Sequence, residues 1–126
     1  MLKNLPHGIK ISISRSITSA FEQYMKEIKW DEEKFDLEAF VGQWRKYADT
    51  NSSWFEQIDG ETKAHPDFHQ ELADKINDTI KKILSEEPTE AQIHELDRLI
   101  SEAGGKDIDY SCKAEAKYHI ERLKTN

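Results

Sequence analysis

The chain has 126 residues and a formal net charge of −7 at pH 7; 34% of its residues are charged and 37% belong to the hydrophobic class AVILMFWYC. This length suits one ordinary domain, or one domain with a small appendage. A small apolar fraction under a heavily charged surface is typical of helical bundles. The excess of acidic residues disfavours non-specific binding to phosphate backbones, but it does not exclude a local basic face. In the alternative interpretation the charge only keeps a small protein soluble.

The cysteine and hydropathy patterns indicate where the protein resides. Cys112 is the single cysteine, so an internal disulfide is excluded and a reducing cytoplasm is expected. The opening residues, MLKNLPHGIK, lack the apolar core of a signal peptide, and no run approaches the roughly 18 apolar residues of a membrane span. We therefore expect a cytoplasmic protein that does not enter a membrane.

Two amphipathic helices are expected in the first half of the chain. Apolar residues at helical spacing predict a helix over 14–29, with an extended lead-in across 9–14, where IKISIS alternates like a strand. Asp36 is well placed as the N-cap of a second helix over 37–49.

A short helix is expected next. Ser53 and Glu56 have the spacing of a capping box, and Gly60 is a natural residue to end the helix. A β-hairpin turning at Asp59-Gly60 is the weaker alternative, because the flanking residues barely alternate.

The second half of the chain carries the clearest helix signals. Pro66 suits the first turn of a helix over 66–86, and Thr89 with Gln92 forms a second capping box. Gly104-Gly105 end that helix, and Ser111 caps a final one that reaches about residue 124.

These elements predict an all-α fold. We expect a compact bundle of four main helices plus one short helix, whose last two helices form a C-terminal hairpin. Residues 1–86 would form the bundle and residues 87–126 the hairpin, packed on the bundle as one domain.

Few residues support catalysis or ligand binding. Cys112 lies on the apolar stripe of the last helix, which indicates a buried structural cysteine rather than a nucleophile. His65 and His69 are four apart, and His119 follows Cys112 by seven, yet neither pair has the spacing of a structural zinc site. No glycine-rich phosphate loop is present. We therefore expect a non-enzymatic protein with no catalytic residue, no metal, no cofactor and no small-molecule substrate.

A basic arc lies on the last helix. At 100° per residue, Lys113, Lys117 and Lys124 fall on one face, with Lys106 in the preceding loop and Arg122 on the far side. Lysines beside a helix N-terminus could hold a phosphate through backbone N–H groups. Alternatively, these are ordinary surface lysines whose field is diluted by neighbouring acids, namely Asp107, Asp109, Glu115 and Glu121.

The segment TEAQIHELDRLISEAGGKDIDYSCKAEAKYHIERLK (89–124) resembles helix–loop–helix modules at the ends of phage and bacterial DNA-metabolism proteins, and is distantly similar to the SAP module. The lysine after the SAP loop and its closing Arg-Leu correspond to Lys113 and Arg122-Leu123, whereas Ala116 stands where SAP modules have leucine. The resemblance implies an accessory protein of DNA metabolism, of phage or mobile-element type, that contacts nucleic acid. The cations involved would be Lys106, Lys113, Lys117, Arg122 and Lys124.

The alternative function is binding of a partner protein through the acidic stretch 31–60, as an inhibitor, immunity or regulatory protein. Its contact residues would be Trp30, Asp31, Glu32, Glu33, Phe35 and Trp54. This hypothesis needs an exposed apolar patch rimmed by carboxylates. Against it, Trp30, Trp44 and Trp54 are more typical of core anchors near helix ends. Association with a second copy of the chain also stays open.

Overall fold

The computed structural model describes residues 5–51, 56–104 and 108–124, and every regular element within them is helical, which confirms the all-α prediction. The α-helices are α1 (His7–Glu27), α2 (Leu37–Asn51), α3 (Gly60–Ala64), α4 (Pro66–Ser85), α5 (Glu90–Glu102) and α6 (Lys113–Lys124). A 3₁₀ turn, Glu32–Lys34, lies between α1 and α2. Five of these α-helices have twelve residues or more, whereas the sequence analysis predicted four main helices. None of these helices is both long and apolar enough to cross a membrane.

The chain divides into two compact units, Met1–Ile80 and Lys81–Asn126. In the first unit α1 packs against α2, and in the second α5 packs against α6. The contact between α5 and α6 confirms the predicted C-terminal hairpin.

Helix α1 begins earlier than the sequence pattern predicts. The Pro6 carbonyl accepts hydrogen bonds from the N–H groups of Ile9 and Lys10, at 3.0 and 3.2 Å, and the chain is helical from His7 onward. The prediction of an extended segment over residues 9–14 is therefore wrong. A helix places Ile9, Ile13 and Ile17 on one face, where all three are buried, so the helical period buries more apolar surface than the alternating one.

The end of α1 is a left-handed turn. Lys29 and Trp30 have φ values of 57° and 56°, a conformation that costs roughly 1 kcal/mol or more for each non-glycine residue. The Trp30 N–H donates to the Met25 carbonyl at 2.7 Å. The Trp30 ring is only 8% exposed and meets Phe21 edge to face at 6.1 Å, so its burial offsets the backbone strain.

Helix α2 is joined to α1 by a buried polar contact. The Trp44 indole Nε1–H donates to Ser16 Oγ at 3.0 Å, and the Ser16 hydroxyl donates to the Ile13 carbonyl at 2.7 Å. Ser16 is the one buried polar residue among those the structure describes, and these bonds satisfy it. Trp30 and Trp44 are thus core residues, as expected, while Trp54 lies outside the described residues.

The predicted short helix was misplaced. Residues 56–59 form turns rather than helix, and Gly60 begins α3 instead of ending a helix. Asp59 Oδ1 accepts the Thr62 N–H at 2.7 Å, which caps α3 and lowers the pKa of Asp59. Ser53 lies outside the described residues. The β-hairpin considered as an alternative at Asp59-Gly60 is also absent, because these two residues begin α3.

The helix starts in the second half follow the sequence signals closely. Pro66 is the first residue of α4. The Thr89–Gln92 capping box is complete, with both of its bonds between 3.0 and 3.1 Å. Gly104 has a φ of 104°, which an L side chain rarely adopts, so it ends α5 as predicted.

The predicted start of α6 is shifted. The helix begins at Lys113, and Ser111 donates its N–H and hydroxyl to Glu115 Oε1, at 2.8 and 3.4 Å, instead of capping the helix itself. Cys112, at the start of α6, is fully buried, which confirms its predicted burial.

Candidate functional site

An ordered acidic loop joins α1 to α2 and continues into the first turn of α2. Its sequence, DEEKFDLE (31–38), carries five carboxylates and one lysine, and we call it the acidic segment. All of its residues are exposed except Asp31 and Phe35, which are half-buried.

Two of the carboxylates shape the backbone of the acidic segment. Asp31 Oδ1 accepts the Glu33 N–H at 3.1 Å, and Asp36 Oδ1 accepts the N–H groups of Glu38 and Ala39 at 3.0 and 3.4 Å. The second pair of bonds makes Asp36 the N-terminal cap of α2, as predicted. The other three carboxylates, those of Glu32, Glu33 and Glu38, form no ion pair with any described residue.

A cluster of aromatic rings supports the acidic segment. Phe35 lies 6.0 Å from Phe21, 5.6 Å from Tyr24 and 6.3 Å from Phe40, measured between ring centroids. The pairs with Phe21 and Tyr24 are edge to face, and such pairs add to the stabilisation from burial. The carboxylates are therefore held on a packed base.

The structure changes which apolar residues can contact a partner here. Trp30 is buried against Phe21, Phe35 is half-buried, and Trp54 lies outside the described residues. Leu37, which the sequence analysis did not single out, is 44% exposed between Asp36 and Glu38. The sequence signal for this exposure is the position of Leu37 as the first residue of α2, where no preceding helical turn covers its side chain.

The predicted basic arc on α6 is partly neutralised. Lys113 and Lys117 are exposed, but Lys124 Nζ lies 3.5 Å from Glu95 Oε1. Glu95 also accepts a hydrogen bond from Arg98 at 2.7 Å, and this bond, ahead of the charges of Arg98 and Lys124, lowers the pKa of Glu95. Lys124 thus shares its carboxylate with a second cation.

Arg122, another of the predicted cations, is less accessible than Lys113 and Lys117. Arg122 is half-buried, and its Nη2 lies 3.3 Å from His119 Nδ1. Lys106 lies outside the described residues. The Lys113 backbone N–H donates to the Glu86 carbonyl at 2.8 Å, so this N–H of the helix start already has an acceptor within the protein.

The candidate metal ligands are not assembled into a site. His65 Nδ1 accepts the Asp67 N–H at 3.1 Å, which ties that ring to the first turn of α4. Across residues 5–51, 56–104 and 108–124, no three His, Cys, Asp or Glu side chains are grouped so that they could hold a metal ion.

Comparisons of this chain with protein-family models, with curated proteins and with solved structures found no match. The resemblance of residues 89–124 to SAP modules therefore rests on its short motifs alone.

Proposed function

We propose that this protein binds a partner protein through the acidic segment, as an inhibitor, immunity or regulatory protein. The observation that carries the proposal is the exposed Leu37 in the same segment as Glu32, Glu33 and Glu38, which form no ion pair with any described residue, above a packed cluster of aromatic rings. The partner surface would offer lysines or arginines around a small apolar pocket. The cytoplasm, inferred from the single cysteine, is the proposed location.

The geometry of the acidic segment favours binding in two ways. Glu32, Glu33 and Glu38 are exposed, so their charge can steer a basic partner and speed association. The side-chain caps of Asp31 and Asp36 already order the backbone, so little conformational entropy is lost when the complex forms. Leu37 would then be the apolar anchor at the centre of the contact.

Nucleic-acid binding through α6 is the second candidate function. The observation that favours it is the exposure of Lys113 and Lys117 on one face of the helix. We rank it second because Lys124 is paired with Glu95 and Arg122 is half-buried. An interface reduced to so few phosphate contacts would bind weakly.

The first experiment compares three forms of the protein as immobilised baits in extracts of the source cells. They are the wild type, the Glu32→Gln/Glu33→Gln/Glu38→Gln variant, and a control that removes the same charge from exposed positions elsewhere, Glu86→Gln/Glu87→Gln/Glu90→Gln. A protein that only the acidic-segment variant fails to capture is then purified. Its affinity is measured at about 50 and 200 mM salt, where a charge-steered complex should weaken as salt rises.

We expect the acidic-segment variant to bind that partner at least about tenfold more weakly than the control does, and Leu37→Ala to weaken it further. Equal capture by all three baits would contradict the proposal. A parallel titration of labelled DNA tests the second function. DNA binding that falls steeply with salt and is lost in Lys113→Glu/Lys117→Glu would make α6 the functional element instead.

A further inference from the structure

The first unit contains a cleft of about 240 Å³ between α2, α3 and the first two turns of α4. It is separate from the acidic segment and was not foreseen in the sequence. The residues that line it are Trp44, Arg45, Ala48, Asp49, Lys63, Phe68, His69 and Leu72.

The floor of the cleft is apolar. Trp44, Ala48, Phe68 and Leu72 are all buried core residues, so what they present to the cleft is the outer edge of the core. The Trp44 N–H is already bonded to Ser16, which leaves the indole to offer ring surface rather than a donor. An apolar cavity of roughly 150 Å³ accommodates benzene, so this cleft has room for a two-ring aromatic body.

The mouth of the cleft is polar and carries two cations, Arg45 and Lys63, against one carboxylate, Asp49. Arg45 and Asp49 are four residues apart on α2 but form no ion pair, and Arg45 pairs with no other described residue. A guanidinium can bind a carboxylate with two parallel hydrogen bonds. Although the whole chain has a net charge of −7, these lining residues include more cations than carboxylates, so the mouth favours an anion over a cation.

We infer that this cleft binds a small aromatic carboxylate, with its ring against Trp44 and Phe68 and its carboxylate at Arg45. This inference is independent of the acidic segment and of any protein partner. A ligand of this size is expected to bind with a Kd of about 1 mM.

The test uses the full chain, labelled with ¹⁵N, and 1-naphthoate as the probe, followed by amide chemical shifts. The neutral 1-naphthamide has the same rings without the charge. Two variants are compared with the wild type: Arg45→Gln, at the mouth, and Lys46→Gln, which removes the neighbouring exposed cation that does not line the cleft. Both positions are exposed, so both variants should fold.

We expect naphthoate to shift the amides of residues 44–49 and 68–72, and to bind about three- to tenfold more tightly than the amide does. Arg45→Gln should abolish that preference, while Lys46→Gln should retain it. Shifts confined to other residues, no binding at several mM, or an unchanged preference in Arg45→Gln would each overturn the inference.

Discussion

The hydroxyl of Tyr24 bonds both backbone groups of Asp36: it accepts the Asp36 N–H at 3.1 Å and donates to the Asp36 carbonyl at 3.5 Å. Tyr24 lies on α1, and Asp36 is the last residue before α2. This bridge fastens the C-terminal end of the acidic loop to the helix that precedes it. The same residue, Asp36, caps α2 with its side chain, so loop position and helix start are coupled.

Tyr24→Phe should therefore lower the free energy of unfolding by about 1–3 kcal/mol, because the part-buried Asp36 N–H loses its acceptor. Tyr47→Phe is the matched control, since Tyr47 is half-buried and its hydroxyl bonds no described residue. Its effect should stay within about 0.5 kcal/mol. Urea denaturation followed by far-UV circular dichroism measures both. Equal losses in the two variants would show that the bridge contributes nothing specific.

Gln92→Ala should cost about 1 kcal/mol, because it removes half of the capping box of α5. It also removes the bond that Gln92 Nε2 donates to the Lys113 carbonyl at 3.3 Å, which joins α5 to the start of α6. Gln70→Ala removes an exposed bond within α4 and should cost less than about 0.5 kcal/mol. Thermal unfolding of the two variants gives the comparison, and a Gln70 effect as large as that of Gln92 would refute it.

Ala116→Leu should destabilise the protein by about 1–3 kcal/mol through overpacking, because Ala116 is fully buried in α6. Ala91→Leu makes the same change at an exposed position of α5 and should be nearly neutral. Chemical denaturation distinguishes them. If leucine is accepted at 116 without cost, the α5–α6 pair has room for the residue that SAP modules carry there.

The stability of the protein should depend on His119 below neutral pH. Burial lowers the pKa of His119 below its ordinary value of 6.5, and the positive charge of Arg122 lowers it further. The negative charge of Glu115 raises this pKa, but by less. As pH falls below about 6.5, the unfolded chain takes up a proton that the folded protein resists, so stability falls until the lower folded-state pKa is reached.

The free energy of unfolding, measured at several pH values between about 7.5 and 5, should fall less steeply in His119→Gln than in the wild type. His94→Gln, which replaces an exposed histidine on α5, is the matched control variant. Parallel slopes for the wild type and the His119 variant would show that His119 titrates alike in both states.

Part of the candidate site could be predicted from the sequence. The cluster of carboxylates at 31–38 and the capping role of Asp36 were evident, because a helix cap depends on residues within three positions. The exposure of Leu37 was not evident, and although the burial of Trp30 was expected, the backbone conformation that achieves it was not. Lys29 and Trp30 form a left-handed turn, and the Trp30 indole packs against Phe21.

By itself, the sequence determined the all-α fold class, the starts of α4 and α5, and the burial of Cys112. Each depends on hydrogen bonds within four residues or on the apolar stripe of one helix, so the information is local. Tertiary structure alone decided that α1 extends back to His7, that Ser16 meets Trp44 across 28 residues, and that α2, α3 and α4 leave a cleft between them. These features depend on which helix faces pack together, and the free energy of burying them overrides local preference.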